Sequence, residues 1–250
     1  MVDIWLKSEG KNHIKPLMAK IYRLVESQEQ IATLGLVNDV YEQGVLEELI
    51  ESTKTPLPTD TSSLHYLLTT PFRYPPLKYG SRFGTTFEQG MFYGSLNIST
   101  ALSETAYYRF VYMLGPETPY AHPISNQYTS FSVKVRSDKG IFLDQAPFSR
   151  YELVLTSPSS YIETQQLGTN MRESGVEIFQ FISARDKDKG KNIALFTPKA
   201  FQSKAPAQMT TWLCQTSIEE VGFMAKETQQ RTSYVQKNFW VDNSFPSPAT

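Results

Sequence analysis

Cysteine is almost missing from this chain: Cys214 is the only one in 250 residues. That excludes an intrachain disulfide and any zinc site built on paired cysteines, and it fits a reducing compartment. Histidine is nearly as scarce. His13, His65 and His122 lie far apart and in unlike contexts. No "GxSxG" elbow accompanies them, so nothing favours a Ser-His-Asp or Cys-His nucleophile. Cys214, in "MTTWLCQ", reads as a small buried hydrophobe, and His65, in "LHYLL", as a packed core residue. An excess of charge of one sign is also lacking. The 24 basic and 25 acidic residues leave a net charge of -1, so no global field draws the chain to nucleic acid or an acidic membrane. No apolar run approaches a membrane span, and "MVDIWLKSEGKNH" lacks the apolar stretch of a signal peptide. No "GxxxxGK[ST]" occurs, and Gly80, Gly84 and Gly90 do not form a dinucleotide fingerprint. The expectation is a soluble cytoplasmic protein with no metal, no membrane contact and no direct nucleic-acid partner.

What is present is enough apolar material for a real core, 40% of the residues, and a change of texture along the chain. In "HIKPLMAKIYRLVES", the residues Ile14, Leu17, Met18, Ile21, Leu24 and Val25 share a face at helical spacing. Val40, Leu46, Leu49 and Ile50 suggest a second helix. "TKTPLPTDTSS" then breaks the pattern, since proline lacks an amide donor and restricts its predecessor. Beyond it "MFYGS" reads as a strand. "STALSETAYYRFVYML" reads as a helix with Ser99 or Thr100 as its cap. "YTSFSVKV" alternates, with Phe131, Val133 and Val135 on one face, as a half-buried strand does. "YIETQQLGTNMRES" reads as a helix, and "VEIFQFIS", "NIALFTP", "MTTWLCQ" and "EVGFMAKE" as short strands. The expected fold is α+β: a mixed or antiparallel sheet with flanking helices over 59-250, behind a helical N-terminal extension over 1-58.

Chemistry concentrates in "RYPPLKYGSRFGTTFEQGMFYGSLNISTALSETAYYRF". Arg73 and Arg82 flank a loop rich in proline and glycine, and arginine forks match phosphate oxygens two at a time. Tyr93 offers a face that stacks on a flat heterocycle. Glu104 offers a carboxylate for a ribose hydroxyl or a developing positive charge. Each also has a plain structural role. Arg82 can pair with Glu88 or Glu104 in a weak surface bridge, Tyr93 can be a core residue, and Glu104 can favour the positive end of a helix. "RDKDKGK" reads as a solvated turn between strands.

The blocks "HYLLTTPFRYPP", "GSRFG", "FYGS", "TALSE" and "AYYR", followed by "FQFISARDKDKGKNIALFTPKAF", make the chain from His65 to about Phe223 resemble the RES domain. That family is named for its Arg, Glu and Ser and supplies toxins of bacterial Xre–RES toxin–antitoxin systems. The resemblance implies an ADP-ribosyltransferase-like fold and NAD+ as substrate. It implies cleavage of the nicotinamide–ribose bond, as a glycohydrolase, a phosphorylase or an ADP-ribosyltransferase with a protein acceptor. It also implies an Xre-type antitoxin that covers the active site. Carried onto this chain, the catalytic positions are Arg82, Tyr93, Glu104 and Ser183. Arg73, Arg82, Tyr93 and Asn192 would bind the dinucleotide. Tyr107 and Tyr108 lie near the glutamate without an assigned role. Two other readings stand beside it. One is a glycoside or nucleoside hydrolase using Glu104 and Asp144 as paired carboxylates. The other is a binding module that docks a partner on the apolar face from Ile14 to Val25.

Overall fold

The structure, a computed structural model, describes residues 2–27, 36–57, 61–76, 78–118 and 120–247. The elements run α1 (Ile4–Lys7), β1 (Lys15–Glu26), α2 (Val40–Thr53), α3 (Tyr66–Thr69), β2 (Phe92–Ser95), α4 (Ile98–Leu114) and β3 (Ile124–Phe142). They continue with α5 (Glu152–Leu155), α6 (Ile162–Glu173), β4 (Ile178–Ile182), β5 (Lys191–Leu195), β6 (Ala207–Thr216), β7 (Glu220–Ala225) and β8 (Arg231–Val235). The fold is α+β: one mixed eight-stranded sheet, ordered β1-β2-β5-β4-β3-β6-β7-β8, with helices packed around it. No helix among the described residues is long and apolar enough to cross a membrane.

The long strand β3 organises the sheet. One edge pairs with β1 from Tyr128 to Gly140. The other edge pairs antiparallel with β6 and then, at Gly140–Phe142, parallel with β4. Since β1 also meets β2, the order β3-β1-β2-β5-β4 returns to β3 and closes a ring, from which β6, β7 and β8 fan out. Leu17, Ile21, Phe92, Phe131, Val133, Ile178, Ile193 and Leu195 form one buried cluster across these strands. A second cluster packs the opposite faces of β4 and β5 against α6 and Phe83. A third lies between α4 and the β6–β7 strands.

Most expected elements are found where the patterns put them, including α2, α4, α6 and the strand carrying Phe131, Val133 and Val135. Residues 15–26 are a correction. They form β1, not a helix, and they belong to the main sheet. The helical extension expected over 1–58 therefore does not hold for this stretch, and the apolar helix face from Ile14 to Val25 does not exist as a docking surface. Leu17, Ile21 and Val25 recur every fourth residue, a spacing that fits both a helical and a two-residue period. Met18, assigned to the same helical face, is 78% exposed. The boundary expected between 58 and 59 lies outside the described residues. The cap of α4 is also corrected: Asn97 holds the position without a side-chain bond, and the Thr100 hydroxyl is donated to Asp186 instead.

Candidate active site

β2 and α4 follow each other with a two-residue turn, so Tyr93 and Ser95 on the strand and Glu104 on the helix come from one local unit. On β5, alternation places Asn192 and Ala194 on the same face as Tyr93, Phe179 and Phe181. Ser183 continues that face just past the end of β4. These elements meet around Glu104. Its Oε1 accepts the Ser183 hydroxyl at 2.6 Å and the Asn192 amide at 2.7 Å. Asn192 in turn accepts the Ser95 hydroxyl at 2.7 Å. Ser183 Oγ also accepts the amides of Arg185 at 3.1 Å and Asp186 at 3.0 Å, which fixes its rotamer.

Arg82 sits on a loop held by Tyr93. The tyrosine hydroxyl meets Ser81 Oγ at 3.0 Å and accepts the Phe83 amide at 3.4 Å. Burial pushes that hydroxyl up to about 12, so it remains protonated as the anchor of the loop. Phe83 locks the same loop from the other side, edge-on to Phe179 and Phe181 at 4.9 Å each. Gly168 on α6 permits this approach, because a Cβ there would lie 1.9 Å from the Phe83 carbonyl oxygen. The Arg82 guanidinium donates to the Leu155 and Ser157 carbonyls at 3.2 and 2.8 Å and stacks over Tyr161 at 4.7 Å. It pairs with neither Glu88 nor Glu104.

Arg82, Tyr93, Glu104 and Asn192 line a cavity of about 500 Å³, within the range of small-molecule sites. Along its floor α4 presents Ala101, Glu104, Tyr108 and Tyr112. A larger open groove of about 1380 Å³ runs along β6, β7 and β8, and it contains none of the expected site residues. The smaller cavity is where Arg82, Tyr93, Glu104 and Asn192 converge, with Ser183 bonded to Glu104.

Two expected residues lie elsewhere. Arg73 is bound to Glu51 at 2.8 Å and to the Thr55 carbonyl, so it fastens the end of α2 and is absent from the cavity wall. Asp144 pairs with Lys191 at 2.7 Å. Lys191 and Asn192 are successive residues of β5 and point to opposite faces, so Asp144 and Glu104 are separated by the sheet. Paired-carboxylate hydrolysis loses its second carboxylate here.

Sequence reasoning missed Arg185. It lies within "RDKDKGK", yet it is only 6% exposed. Its guanidinium donates to the Pro158 carbonyl at 2.7 Å and lies 3.5 Å from the centre of the Tyr107 ring. Its carbonyl accepts the Ser103 hydroxyl at 2.7 Å. The signal was its place two residues after Ser183. Arg23 and Arg109 also line the cavity. Arg109 is held by Thr216 at 3.0 Å and Asn126 at 2.7 Å. Among the described residues no carboxylate forms a salt bridge with Arg23, Arg82, Arg109 or Arg185. The cavity thus concentrates positive charge around a single glutamate. No cluster of His, Cys, Asp and Glu among the described residues is placed to hold a metal ion.

A family model described as the RES domain matches residues 58–217. No curated protein matches the chain. Among solved structures, the chain is similar to one in the crystal structure of the M. tuberculosis MbcT-MbcA toxin-antitoxin complex. The TM-score is 0.50 at 8% identity, over 84% of this chain and 91% of that one. At that identity the likeness concerns the fold.

Proposed function

Since the chain belongs to the RES domain family, we propose that it is the toxin of a bacterial toxin–antitoxin pair and that it cleaves the nicotinamide–ribose bond of NAD+. The observation that carries this reading is the convergence of Ser183 and Asn192 on Glu104 inside an arginine-walled cavity. The fold is read as ADP-ribosyltransferase-like. The partner is an Xre-type antitoxin that closes the mouth of the cavity, and the site of action is the cytoplasm.

The chemistry follows from the bond that breaks. The carbon–nitrogen pair leaves with nicotinamide, whose ring loses its positive charge. The ribose carbon becomes an oxocarbenium-like cation. Arg82, already fixed by two carbonyls and Tyr161, holds the diphosphate. Glu104 accepts a ribose hydroxyl and faces the cation, while both hydrogen bonds from the protein fall on its Oε1. Ser183 and Asn192 keep that carboxylate in one orientation, which is preorganised electrostatic stabilisation. Tyr93 sets the arginine loop and borders the space for the nicotinamide ring. Water, phosphate or a protein side chain then attacks the ribose carbon.

The test is incubation of the purified protein with NAD+, with and without phosphate, and chromatography of the products. Free nicotinamide together with ADP-ribose names water as acceptor. The 1″-phosphate of ADP-ribose names phosphate. NAD+ left intact by folded protein, with no labelled protein acceptor formed in a lysate supplied with radiolabelled NAD+, overturns the proposal.

A further inference from the structure

β1 lies outside the region matched by the RES model, yet it sends Arg23 into the cavity wall. The strand alternates with Leu17, Ala19, Ile21 and Val25 toward the buried cluster of the ring. Arg23 occupies the one inward position of that series that is charged. The reason lies in the pairing. β1 meets β2 at a single register position, Tyr22 with Ser95, while β2 pairs with β5 along its whole length. The Tyr93 carbonyl therefore has no ladder partner on the β1 side, and Arg23 Nη1 donates to it at 2.7 Å. The guanidinium also lies 4.8 Å from the centre of the Phe92 ring.

A carbonyl cap alone does not require a full positive charge. Arg23 Nε is sealed from solvent and has no hydrogen-bond partner. No carboxylate among the described residues forms an ion pair with it. Burial pushes the guanidinium down, to about 10, with no neighbouring carboxylate offsetting that shift. It is still charged at neutral pH. A buried cation with an unfilled donor and no counter-charge is costly to keep, and this one borders an open cavity.

We propose that Arg23 is a substrate-binding residue that takes a phosphate oxygen in the cavity, together with Arg82. This rests on the reading of the site as one for a diphosphate-linked nucleotide. The phosphate group belongs either to the dinucleotide or to free phosphate acting as acceptor, and the two are separated by experiment.

The experiment is calorimetric titration of the full chain with ADP-ribose, inorganic phosphate and adenosine, which has no phosphate. Arg23→Gln keeps a donor for the Tyr93 carbonyl and removes the charge. It is expected to weaken ADP-ribose about tenfold or more, to leave adenosine unchanged and to retain the wild-type melting midpoint. Loss confined to inorganic phosphate would assign the anion to the acceptor and would equally support the proposal. If Arg23→Gln does not fold, Arg23→Lys carries the test. It keeps charge without the fork and should lose ADP-ribose or phosphate affinity severalfold. A folded variant that binds both as the wild type does overturns the role of Arg23 alone. A wild-type protein that binds neither anion overturns this role and the NAD+ reading together.

Discussion

Asn192 spends its side-chain amide on two partners, accepting from Ser95 and donating to Glu104. Its replacement by aspartate would set a second carboxylate against the first at hydrogen-bond distance. Like charges so close raise the pKa of the pair. A raised pKa in the fold gives stability that is present below the unfolded value and lost as pH rises through the folded one. Asn192→Asp should therefore melt closer to wild type at pH 4 than at pH 7, which thermal denaturation at the two values would check. Glu104→Gln leaves the packing intact and removes the charge. NAD+ cleavage should fall by about a hundred- to thousandfold, the magnitude found for removal of one preorganised electrostatic group, with little change in melting midpoint. A Glu104→Gln rate equal to wild type would remove the carboxylate from the chemistry.

The elements show where local pattern suffices and where it does not. α4 is legible because its apolar positions repeat at helical spacing and β2 precedes it directly. β1 is not, because a repeat every fourth residue satisfies two periods. Pro16 and the alternation through Ala19 are the residues that separate the two. Proline is suited to the start of a strand and not to a helix interior. Arg82, Tyr93, Glu104, Ser183 and Asn192 were legible through their motif blocks, and the structure brings all five to one site. Arg73 belongs to the same blocks, but which partner an arginine finds depends on where α2 ends, and no local spacing encodes that. Arg185 was hidden because a charge run looks solvated until the helix that covers it is known. One glycine and one phenylalanine carry element-level consequences. A Cβ at Gly190 would lie 2.0 Å from Thr100 Oγ1 and 2.3 Å from Asp186 Oδ2, so Gly190→Ala should push the serine loop off α4. The expected outcome is a large drop in NAD+ cleavage, with the melting midpoint lowered by the equivalent of about 1–3 kcal/mol. Phe83→Ala should cost more, about 3–5 kcal/mol, since it empties the space between Phe179 and Phe181. Urea titration of both variants measures this difference.

At the scale of the molecule, tyrosines are distributed through the clusters that hold it together. Burial pushes Tyr93, Tyr107, Tyr128 and Tyr234 each up to about 12. Each is neutral in the fold across a range where the unfolded chain has begun to ionise, so stability falls as pH climbs from about 10 toward 12. Arg23 and Arg172, both shifted down by burial, act in the opposite direction, but the raised tyrosines outnumber them. Thermal midpoints measured between pH 8 and pH 11.5 should decline steadily, and the loss of structure should coincide with the tyrosinate absorbance step. A flat profile would mean that these hydroxyls are open to solvent. The closed ring has a further consequence for how the protein is made. β1 leaves the ribosome before every other strand of the sheet, but its partners on β2 and β3 emerge much later, and Asn192 later still. Until β5 is synthesised Glu104 lacks Asn192, and before Ile182 is followed by its loop it lacks Ser183 as well. A nascent chain interrupted between Arg109 and Ser183 carries Arg23, Arg82, Arg109 and Glu104 without the frame that aligns them. Translation thus acts as a timer: the complete arrangement around Glu104 exists only once the chain has been made past Asn192.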